Sequence, residues 1–397
     1  MKSEWTRVPL SRVAEVQTGP FGSQLHNKDY VTEGTPIVTV EHLGSRSFTT
    51  QNLPCVSEED RSRLSKYSLN TGDIVFSRVG SVDRCSYVNE ANAGWLFSGR
   101  CLRVRSTNIH PEFLYYFFCQ EQVKEYVKSI AVGATMPSIN TKLLNDVEVI
   151  LPPLPIQRKI ASILSALDDK IETNKAICRN LEEQMESMYN KLFVENYNSE
   201  WVQGTISDLG RIVGGGTPSK KEPSYYTQQG IPWITPKDLS RNTAKFIKRG
   251  EVDITLEGLN ASGATIMPAG TVLFSSRAPI GYIAIACNDV TTNQGFKSVI
   301  PHDFVGSAYL YYFLKANKNA IEMRASGSTF LEVSACIMRQ VPAIIPDKST
   351  LDIFKHFCNP LFEMQRKLET ETVSLSQIRE TILPKLMSGE LAVESIN

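Results

Sequence analysis

Residues 151–194 read LPPLPIQRKIASILSALDDKIETNKAICRNLEEQMESMYNKLFV. Apolar side chains recur here in alternating steps of three and four residues, which is the pattern of a helix that pairs with another helix. Pro152, Pro153 and Pro155 fit the beginning of a helix but not its interior. We therefore expect a helix that begins near Ile156 and runs for about forty residues, or roughly 60 Å. A helix of that length in a soluble chain requires a partner helix.

The seam of this helix consists of two interleaved sets of positions, each spaced by seven residues. They are Leu164, Ile171, Cys178, Met185 and Leu192 in one set, and Ile160, Leu167, Asn174, Leu181 and Met188 in the other. Asn174, the single polar member, is more typical of a core amide that sets helix register than of a ligand-binding residue. Charged residues surround the seam and leave a narrow apolar stripe. Two amphipathic helices buried in separate globular cores remain the alternative.

A rougher second copy of this stretch lies near the C-terminus, where Ile345-Pro346 corresponds to Leu151-Pro152 at an offset of 194 positions. Its apolar seam positions are Phe354, Cys358, Leu361, Leu368, Leu375, Ile382 and Leu386. Polar residues interrupt this seam at Gln365, Thr372 and Arg379. Because Pro360 also lies near the beginning of the second copy, we expect a kink there and looser packing.

The repeat extends over the whole chain. Glu4-Trp5 matches Glu200-Trp201 at an offset of 196 positions, and the run Leu114–Phe117 matches Leu310–Phe313 at the same offset. So many ordered matches at a nearly constant offset indicate a duplication.

Each copy alternates short β-like runs with turns rich in Gly and Asn, and then ends in helices. In the first copy the runs are residues 36–40, 73–79, 101–105 and 147–151, and one helix is predicted from Pro111 through Val127. We predict an α+β fold with two tandem α+β domains, each followed by a long helix. Two such copies favour an antiparallel coiled coil of the two helices with pseudo-two-fold symmetry and a domain toward each end. The predicted boundaries are 1–150 and 199–345 for the domains, and 151–198 and 346–391 for the long helices.

Composition indicates an ordinary globular protein, since 42% of the 397 residues are hydrophobic and 21% are charged. The eight cysteines form no CxxC pair, which argues against a disulfide framework and a zinc site. No apolar run reaches the ~20 residues of a membrane span, and no signal-peptide core follows the N-terminus. We therefore expect a cytoplasmic protein with no membrane partner. The formal net charge of +0 predicts weak nonspecific attraction to nucleic acid.

Common catalytic motifs are missing together. The five histidines form no HxxxH or HExxH spacing, there is no GxSxG motif, and Gly214–Lys220 lacks the ending of a phosphate-binding loop. We interpret these glycines as residues that let the chain turn tightly after a strand. Neither a Gly-rich cofactor loop nor an Asn/Asp-Pro-Pro-aromatic motif is present. We expect no catalytic residue, metal or cofactor in this chain.

Four segments carry a resemblance to a known family. They are LPPLPIQ at 151–157, PWITPKD at 232–238, TNQGF at 292–296 and LPKLMSGEL at 383–391. The chain resembles the DNA specificity (S) subunit of a type I restriction-modification system. The resemblance implies a noncatalytic subunit with two target-recognition domains, one for each half of a bipartite site in double-stranded DNA. It also implies that the subunit positions two methylation subunits and, in the full complex, restriction subunits. S-adenosylmethionine would bind the methylation subunit, which methylates a flipped adenine at N6.

Loops at corresponding places in the two halves supply the candidate DNA-binding residues. They are Ser23, Gln24, Glu41, His42, Arg78 and Arg100 in the first half, and Thr217, Ser219, Lys220, Lys237, Arg277, Asn293 and Gln294 in the second. Arg and Lys can pair with guanine, Asn and Gln with adenine, and Glu with cytosine. Each residue fits a solvated loop position or a phosphate contact equally well. Asn293 and Gln294 also fit a role as turn residues.

The two halves differ at these loops. Residues 96–100 read LFSGR where residues 292–296 read TNQGF, and residues 38–42 read VTVEH where residues 234–238 read ITPKD. We interpret the differences as two domains that read different half-sites, although drift of surface loops would look the same. The alternative function is a noncatalytic coiled-coil adaptor that holds proteins with its α+β domains.

Overall fold

The computed structural model describes residues 5–20, 22, 24–241, 244–327 and 331–393, without the side chain of Asn27. The chain forms two compact units. Unit 1 comprises Met1–Glu172 and Val373–Asn397, and unit 2 comprises Thr173–Thr372. Each unit therefore contains one α+β domain and a segment of each long helix.

Unit 1 contains ten strands and four short helices among its described residues. The strands are β1 (Thr6–Pro9), β2 (Ala14–Thr18), β3 (Tyr30–Val31), β4 (Thr35–Val38), β5 (Cys55–Val56), β6 (Ile74–Ser77), β7 (Cys85–Tyr87), β8 (Leu96–Phe97), β9 (Cys101–Ser106) and β10 (Glu148–Leu151). The helices are α1 (Glu58–Arg63), α2 (Pro111–Cys119), α3 (Glu121–Ile130) and α4 (Thr141–Asn145). The long helix α5 (Leu154–Tyr189) follows and continues as a π-helical turn at Asn190–Glu195.

Unit 2 repeats this order. Its strands are β11 (Val202–Thr205), β12 (Gly210–Gly214), β13 (Tyr226–Thr227), β14 (Ile231–Ile234), β15 (Phe246–Ile247), β16 (Val252–Ile254), β17 (Val272–Ser276), β18 (Ile280–Ala286), β19 (Thr291–Thr292), β20 (Lys297–Pro301) and β21 (Pro342–Ile345). Its α-helices are α6 (Ile206–Leu209), α7 (Pro236–Arg241), α8 (Leu256–Asn260), α9 (Gly306–Ala316), α10 (Lys318–Glu322) and α11 (Ala335–Arg339). The long α12 (Lys348–Met387) begins in unit 2 and ends in unit 1.

Sheet topology confirms that the two domains are copies. Unit 1 has sheets of order β1-β10, β2-β9-β6-β7 and β3-β5-β4-β8, and unit 2 has β11-β21, β12-β20-β17-β18-β15 and β13-β16-β14-β19. Corresponding strands take the same places, with β15 added in unit 2. Even the parallel pair recurs, as β4 with β8 and as β14 with β19. A parallel pair within mixed sheets is a specific topological feature, so its repetition supports duplication.

The helix predicted from Pro111 through Val127 is wrong in one respect, because the structure divides it into α2 and α3. Gln120 lies between the two helices in an extended conformation, with φ −64° and ψ 135°. Its side-chain Nε2 donates a hydrogen bond to the Phe117 carbonyl at 3.1 Å. The side chain thereby satisfies a carbonyl that the helix end leaves without an intrahelical partner.

The first long helix begins at Leu154, two residues before the predicted position. Pro155 therefore lies in the first helical turn, where its missing N–H costs nothing because that N–H has no intrahelical partner. The second long helix runs from Lys348 to Met387 and includes Pro360 without interruption.

The segments of α5 and α12 pair in antiparallel fashion within each unit. In unit 1, Arg379 donates to Asp168 at 2.7 Å, and Leu164 shares a core with Leu386. In unit 2, Asn174 donates to Glu371 at 2.8 Å, and further along α5 Leu181 shares a core with Phe354. Rising numbers on α5 thus meet falling numbers on α12. The predicted fold class, with two α+β domains that each precede a long helix and an antiparallel pair, is confirmed.

All seam positions are buried or half-buried. The buried ones are Ile160, Leu164, Ile171, Asn174, Leu181, Met185, Phe354, Cys358, Gln365 and Leu386. The half-buried ones are Leu167, Cys178, Met188, Leu192, Leu361, Leu368, Thr372, Leu375, Arg379 and Ile382. The seam of each unit also continues into its domain, because α2 and α9 contribute buried aromatic residues to the same cores. Each domain therefore uses the helix pair as one wall of its core.

Among the residues that the structure describes, no helix is both long enough and apolar enough to cross a lipid bilayer.

Asp347 caps α12 and generates a prediction about pH. Its carboxylate accepts hydrogen bonds from the Thr350 N–H at 3.0 Å and from Trp201 Nε1 at 2.8 Å. Hydrogen bonds from Ser349 and these donors hold the pKa of Asp347 well below its usual value of 3.8. A carboxyl whose pKa is lower in the folded state stabilises the fold above its unfolded pKa, and this contribution is lost as pH falls through the folded pKa.

We therefore expect Asp347→Ala to lower the free energy of unfolding by about 1 kcal/mol at pH 7, with a smaller difference from the unsubstituted chain below about pH 4. Urea unfolding at a series of pH values would measure both. Asp347→Asn is the matched control, because Asn also caps helices but does not titrate. A deficit of Asp347→Ala that stays constant down to the lowest pH would contradict the assignment.

Candidate DNA interface

Two loops of unit 2 lie against each other beyond the ends of β12 and β19. The Gly216 N–H donates to the Thr292 carbonyl at 2.9 Å, and the Asn293 N–H donates to the Ile234 carbonyl at 3.0 Å. A Cβ on Gly215 would lie only 2.0 Å from the Asn293 carbonyl oxygen. Only glycine permits this approach. The glycine run therefore lets one loop pack against the other.

Three of the predicted residues come together on these loops. Thr217 Oγ1 donates to Gln294 Oε1, while Asn293 Oδ1 accepts from the Gly295 N–H at 2.9 Å. Asn293 thus forms a local turn. Gln294 is exposed, and its Nε2 has no protein partner among the described residues. This amide is therefore available to an external acceptor.

Basic side chains flank the two loops. Arg277 pairs with Glu332 at 3.6 Å, and Lys297 pairs with the same carboxylate at 2.9 Å. Lys220 is exposed and has no ion pair within the described part of the chain. Ser219 is also exposed, and its hydroxyl accepts from the backbone of the loop at 3.3 Å.

Lys237 is exposed but not free of local charge. It pairs with Glu251 at 3.0 Å, and Arg241 pairs with the same carboxylate at 3.0 Å. Because Lys237 and Arg241 share this carboxylate, the charge of Lys237 is partly compensated within the protein.

Unit 1 builds the same loop frame with other side chains. The Ser98 N–H donates to the Val38 carbonyl at 2.8 Å, as Asn293 does to Ile234 in unit 2. A Cβ on Gly19 would lie 2.1 Å from the Ser98 carbonyl oxygen. Arg78 donates from Nη1 to the Gly99 carbonyl at 3.1 Å, and its own N–H donates to the Arg100 carbonyl at 2.8 Å. Arg100 is exposed beside it.

His42 and Asp238 accept the same capping hydrogen bond in the two domains, although the residue types differ. His42 is 1% exposed, and its Nδ1 accepts from the Thr39 N–H at 3.1 Å. Asp238 performs the same capping role for Thr235 in unit 2 at 2.7 Å. His42 therefore lies inside the domain. The adjacent Glu41 is exposed and occupies the place of the cationic Lys237.

The remaining predicted residues of the first half are Gln24 and Ser23. The Gln24 side chain is half-buried and accepts a hydrogen bond from the Tyr67 hydroxyl at 2.7 Å. Arg63 also donates to the Gln24 carbonyl at 2.7 Å. These contacts fix the loop that contains Gln24. Ser23 lies outside the described residues.

The sequence reasoning did not identify a buried lysine that attaches the second domain to the helix pair. Lys245 is 4% exposed, and its ammonium pairs with Glu182 of α5 and donates to the Tyr312 hydroxyl at 2.9 Å. Its nitrogen also lies 4.6 Å from the centre of the Phe362 ring on α12. We call Lys245 and its partners the lysine anchor.

Burial and charge pairing shift the pKa values of the lysine anchor in opposite directions. Burial lowers the pKa of Lys245, and Glu182 offsets only part of this effect. Burial alone would raise the pKa of Glu182, but Lys245 and Lys315 together lower it. Burial also raises the pKa of Glu369, although this carboxylate accepts from the backbone N–H groups of Lys245 and Phe246. The helix pair thus holds both the side chain and the backbone of this loop.

Unit 1 has a corresponding attachment at Arg46, which sequence reasoning also did not identify. Arg46 pairs with Asp169 of α5 and with Glu112 of α2, the latter at 2.9 Å. The neighbouring Ser47 hydroxyl donates to Glu172 at 3.0 Å. One signal was present in the sequence, since acidic residues border the apolar seam of α5. Their partners could not be identified without the tertiary structure.

Within the described ranges, no cluster of three or more His, Cys, Asp or Glu side chains is arranged to hold a metal ion.

A family described as the type I restriction modification DNA specificity domain matches this chain twice, at residues 2–183 and 198–372. The two matches together cover most of the sequence. The chain belongs to this family. DNA sequence recognition is therefore its function, in the role of a type I specificity subunit. The coiled-coil adaptor alternative is not favoured.

Curated relatives of this specificity chain have the same role in their names. The type I restriction enzyme MjaIX specificity subunit of Methanocaldococcus jannaschii is 44% identical over 149 residues, which are 37% of this chain and 34% of that relative. That match thus spans about a third of the relative's length. The HindI specificity subunit of Haemophilus influenzae is 22% identical, over 84% of this chain and 89% of the relative.

A solved structure supports the fold. The crystal structure of a type I restriction-modification system S subunit from M. genitalium superposes with a TM-score of 0.67. The match covers 96% of each chain at 15% sequence identity. At this identity the likeness concerns the fold alone.

The lysine anchor generates a stability prediction for the specificity chain. Lys245→Met keeps the apolar stem among the aromatic rings but removes the ammonium, which leaves Glu182 and Tyr312 without one partner. Loss of one member of a buried ion pair costs about 3 kcal/mol, so unit 2 should unfold at lower urea concentration. Lys237→Met is the matched control, because it removes an exposed cation and should change stability little. Equal stability of the two variants would contradict the role of the anchor.

Proposed function

We propose that the chain reads a bipartite DNA site, with one domain at each half-site. The observation that carries this proposal is the repeated loop frame with different side chains. Asn293-Gln294 in unit 2 and Ser98-Gly99 in unit 1 occupy equivalent backbone positions. This pairing is shifted by one residue from the sequence comparison of residues 96–100 with 292–296. Loops of equal geometry but unequal hydrogen-bonding groups suit two different base sequences. The candidate base-reading residues are Gln294 and Thr217 in one domain, and Arg100 and Glu41 in the other.

We further propose that the chain carries no catalytic group or cofactor of its own and positions partner subunits. In this proposal two methylation subunits bind S-adenosylmethionine and methylate adenine, and restriction subunits join the full complex. The attachment of each domain to the helix pair supports this division of roles. A domain that is ion-paired to the helix pair presents its loops in a fixed orientation, which a separate methylation subunit requires in order to reach a defined adenine.

The first experiment replaces residues 201–346 with the same region of a relative and determines all methylated adenines in cells by sequencing. We expect one half-site of the methylated motif to change and the other to persist, because each domain reads one half. A chimaera that changes both halves would count against the proposal. The unmodified chain supplies the reference motif and the gap between its halves. Insertion of one base pair into that gap should sharply reduce methylation.

A second prediction concerns the phosphate contacts of the loop. Lys220 is exposed and has no ion pair within the described residues, so it can release a counterion when it meets a phosphate. We expect Lys220→Ala to weaken binding to every sequence and to reduce the slope of log affinity against log salt by about 0.9. Binding titrations of the assembled methylation complex would measure it.

Lys237→Ala is the control for this measurement, because Glu251 already compensates part of that charge at 3.0 Å. The salt slope should change less in this variant than in Lys220→Ala. A loss in Lys220→Ala that is confined to one DNA sequence would instead assign Lys220 to base reading.

A further inference from the structure

A short hairpin of unit 1 presents an uncharged, apolar tip. Val132 and Ser138 exchange two backbone hydrogen bonds of 2.9 and 2.8 Å, which enclose residues 133–137. We call these five residues the hairpin tip. Met136 is 64% exposed within it, and Val132 at its base is 66% exposed. From Ala131 to Ile139 the sequence has no charged residue.

The hairpin tip is attached to the candidate DNA interface. The Gly80 N–H donates to the Pro137 carbonyl at 2.8 Å, and the Ile139 N–H donates to the Arg78 carbonyl at 2.9 Å. Arg78 in turn contacts the Gly99 carbonyl. The tip is therefore hydrogen-bonded to the residues that follow β6, and one of them, Arg78, also contacts the candidate base-reading loop at Gly99.

Backbone geometry gives the tip a defined shape. Gly133 has φ +111°, and a Cβ there would lie 2.7 Å from the Met136 carbonyl oxygen. Such a conformation favours glycine strongly. Met136 is thus exposed on a constrained hairpin, which reduces the conformational entropy that it loses when it contacts a partner.

The second half of the chain repeats the arrangement. Ser326 and Glu332 exchange hydrogen bonds of 3.1 and 3.0 Å, and the Val333 N–H donates to the Ser276 carbonyl at 3.0 Å, as Ile139 does to Arg78. In sequence, Gly133–Met136 (GATM) recurs as Gly327–Phe330 (GSTF) at an offset of 194. Residues 328–330 lie outside the described residues. A large apolar residue therefore occupies the same sequence position in both copies, as Met in one and Phe in the other.

We propose that Met136 is a wedge that enters the duplex at the first half-site and unstacks one base step. The inference rests on the proposed DNA-reading function. An uncharged side chain neither neutralises phosphate nor forms hydrogen bonds with base edges. Met and Phe are among the residues that insert between base pairs and kink DNA. The wedge adds a preference for base steps that unstack easily, without a hydrogen bond to any base.

The test uses the full chain assembled with its methylation subunits and duplexes that contain the bipartite site. Met136→Ser removes the apolar bulk, whereas Met136→Leu retains it and serves as the matched control. We expect Met136→Ser to lower affinity for the intact duplex about tenfold, within the range of one lost specific contact. Met136→Leu should bind like the unsubstituted complex. Because Met136 is mostly exposed, neither change should alter the melting temperature.

The decisive comparison moves a one-nucleotide gap step by step across the first half-site. At one position the gap should restore Met136→Ser to within about twofold of the unsubstituted complex, because the unstacking that the wedge performs is already complete. Equal affinity of Met136→Ser and the unsubstituted complex for intact DNA would overturn the proposal. So would a gap scan in which no position restores binding.

Two controls distinguish a DNA wedge from a protein interface and from a failure of the proposed DNA-reading function. If Met136→Ser fails to assemble with methylation subunits in the absence of DNA, the tip belongs to a protein interface and the wedge is wrong. The unsubstituted complex tests the proposed function independently, through a footprint over both half-sites. The Met136→Ser complex should give the same two-part footprint at higher concentration, so that loss of the wedge leaves recognition of the bipartite site intact.

Discussion

Burial of the apolar seams of α5 and α12 is the constraint on which the structure depends. Neither α5 nor α12 can bury its apolar seam alone, because an isolated amphipathic helix exposes its apolar stripe to water. Within each unit, the two helices share a core with the domain that they accompany, as Leu164 and Leu386 do in unit 1. The last helix must therefore return to the unit where the chain began. Unit 1 is therefore assembled from two parts that are distant in sequence, whereas unit 2 is one continuous stretch.

Ion pairs with α5 then determine how each domain packs against the helix pair. Lys245 and Arg46 belong to corresponding loops, yet they differ in environment, since Lys245 is almost fully buried among aromatic rings and Arg46 is less so. A buried ion pair contributes little net stability compared with apolar packing, but the loss of one partner is costly. Such pairs discriminate against alternative placements of the domain. In the proposed function, orientation matters because the loops contact DNA in register with a methylation subunit.

The candidate DNA interface separates a shared frame from variable reading groups. Backbone hydrogen bonds and close glycine contacts recur in both domains, whereas the side chains on that frame differ. The pair of Thr39 with His42 shows the frame persisting through substitution, because an imidazole takes over the capping role of the Asp238 carboxylate. Glu41 and Lys237 then place opposite charges at the same position. In the proposed function, duplication followed by loop substitution gives one scaffold two specificities.

The sequence by itself determined the duplication, the α+β class and the seam, because these depend on offsets and periodicity that local physics imposes. It also proposed DNA-binding candidates on loops of both halves, and the structure brings three of them together, namely Thr217, Asn293 and Gln294. Only the tertiary structure decided that His42 lies inside the domain while Glu41 faces solvent, and that Lys245 anchors the second domain. Both outcomes depend on contacts between residues far apart in the chain. Burial and partner choice are properties of packing, and no local pattern encodes them.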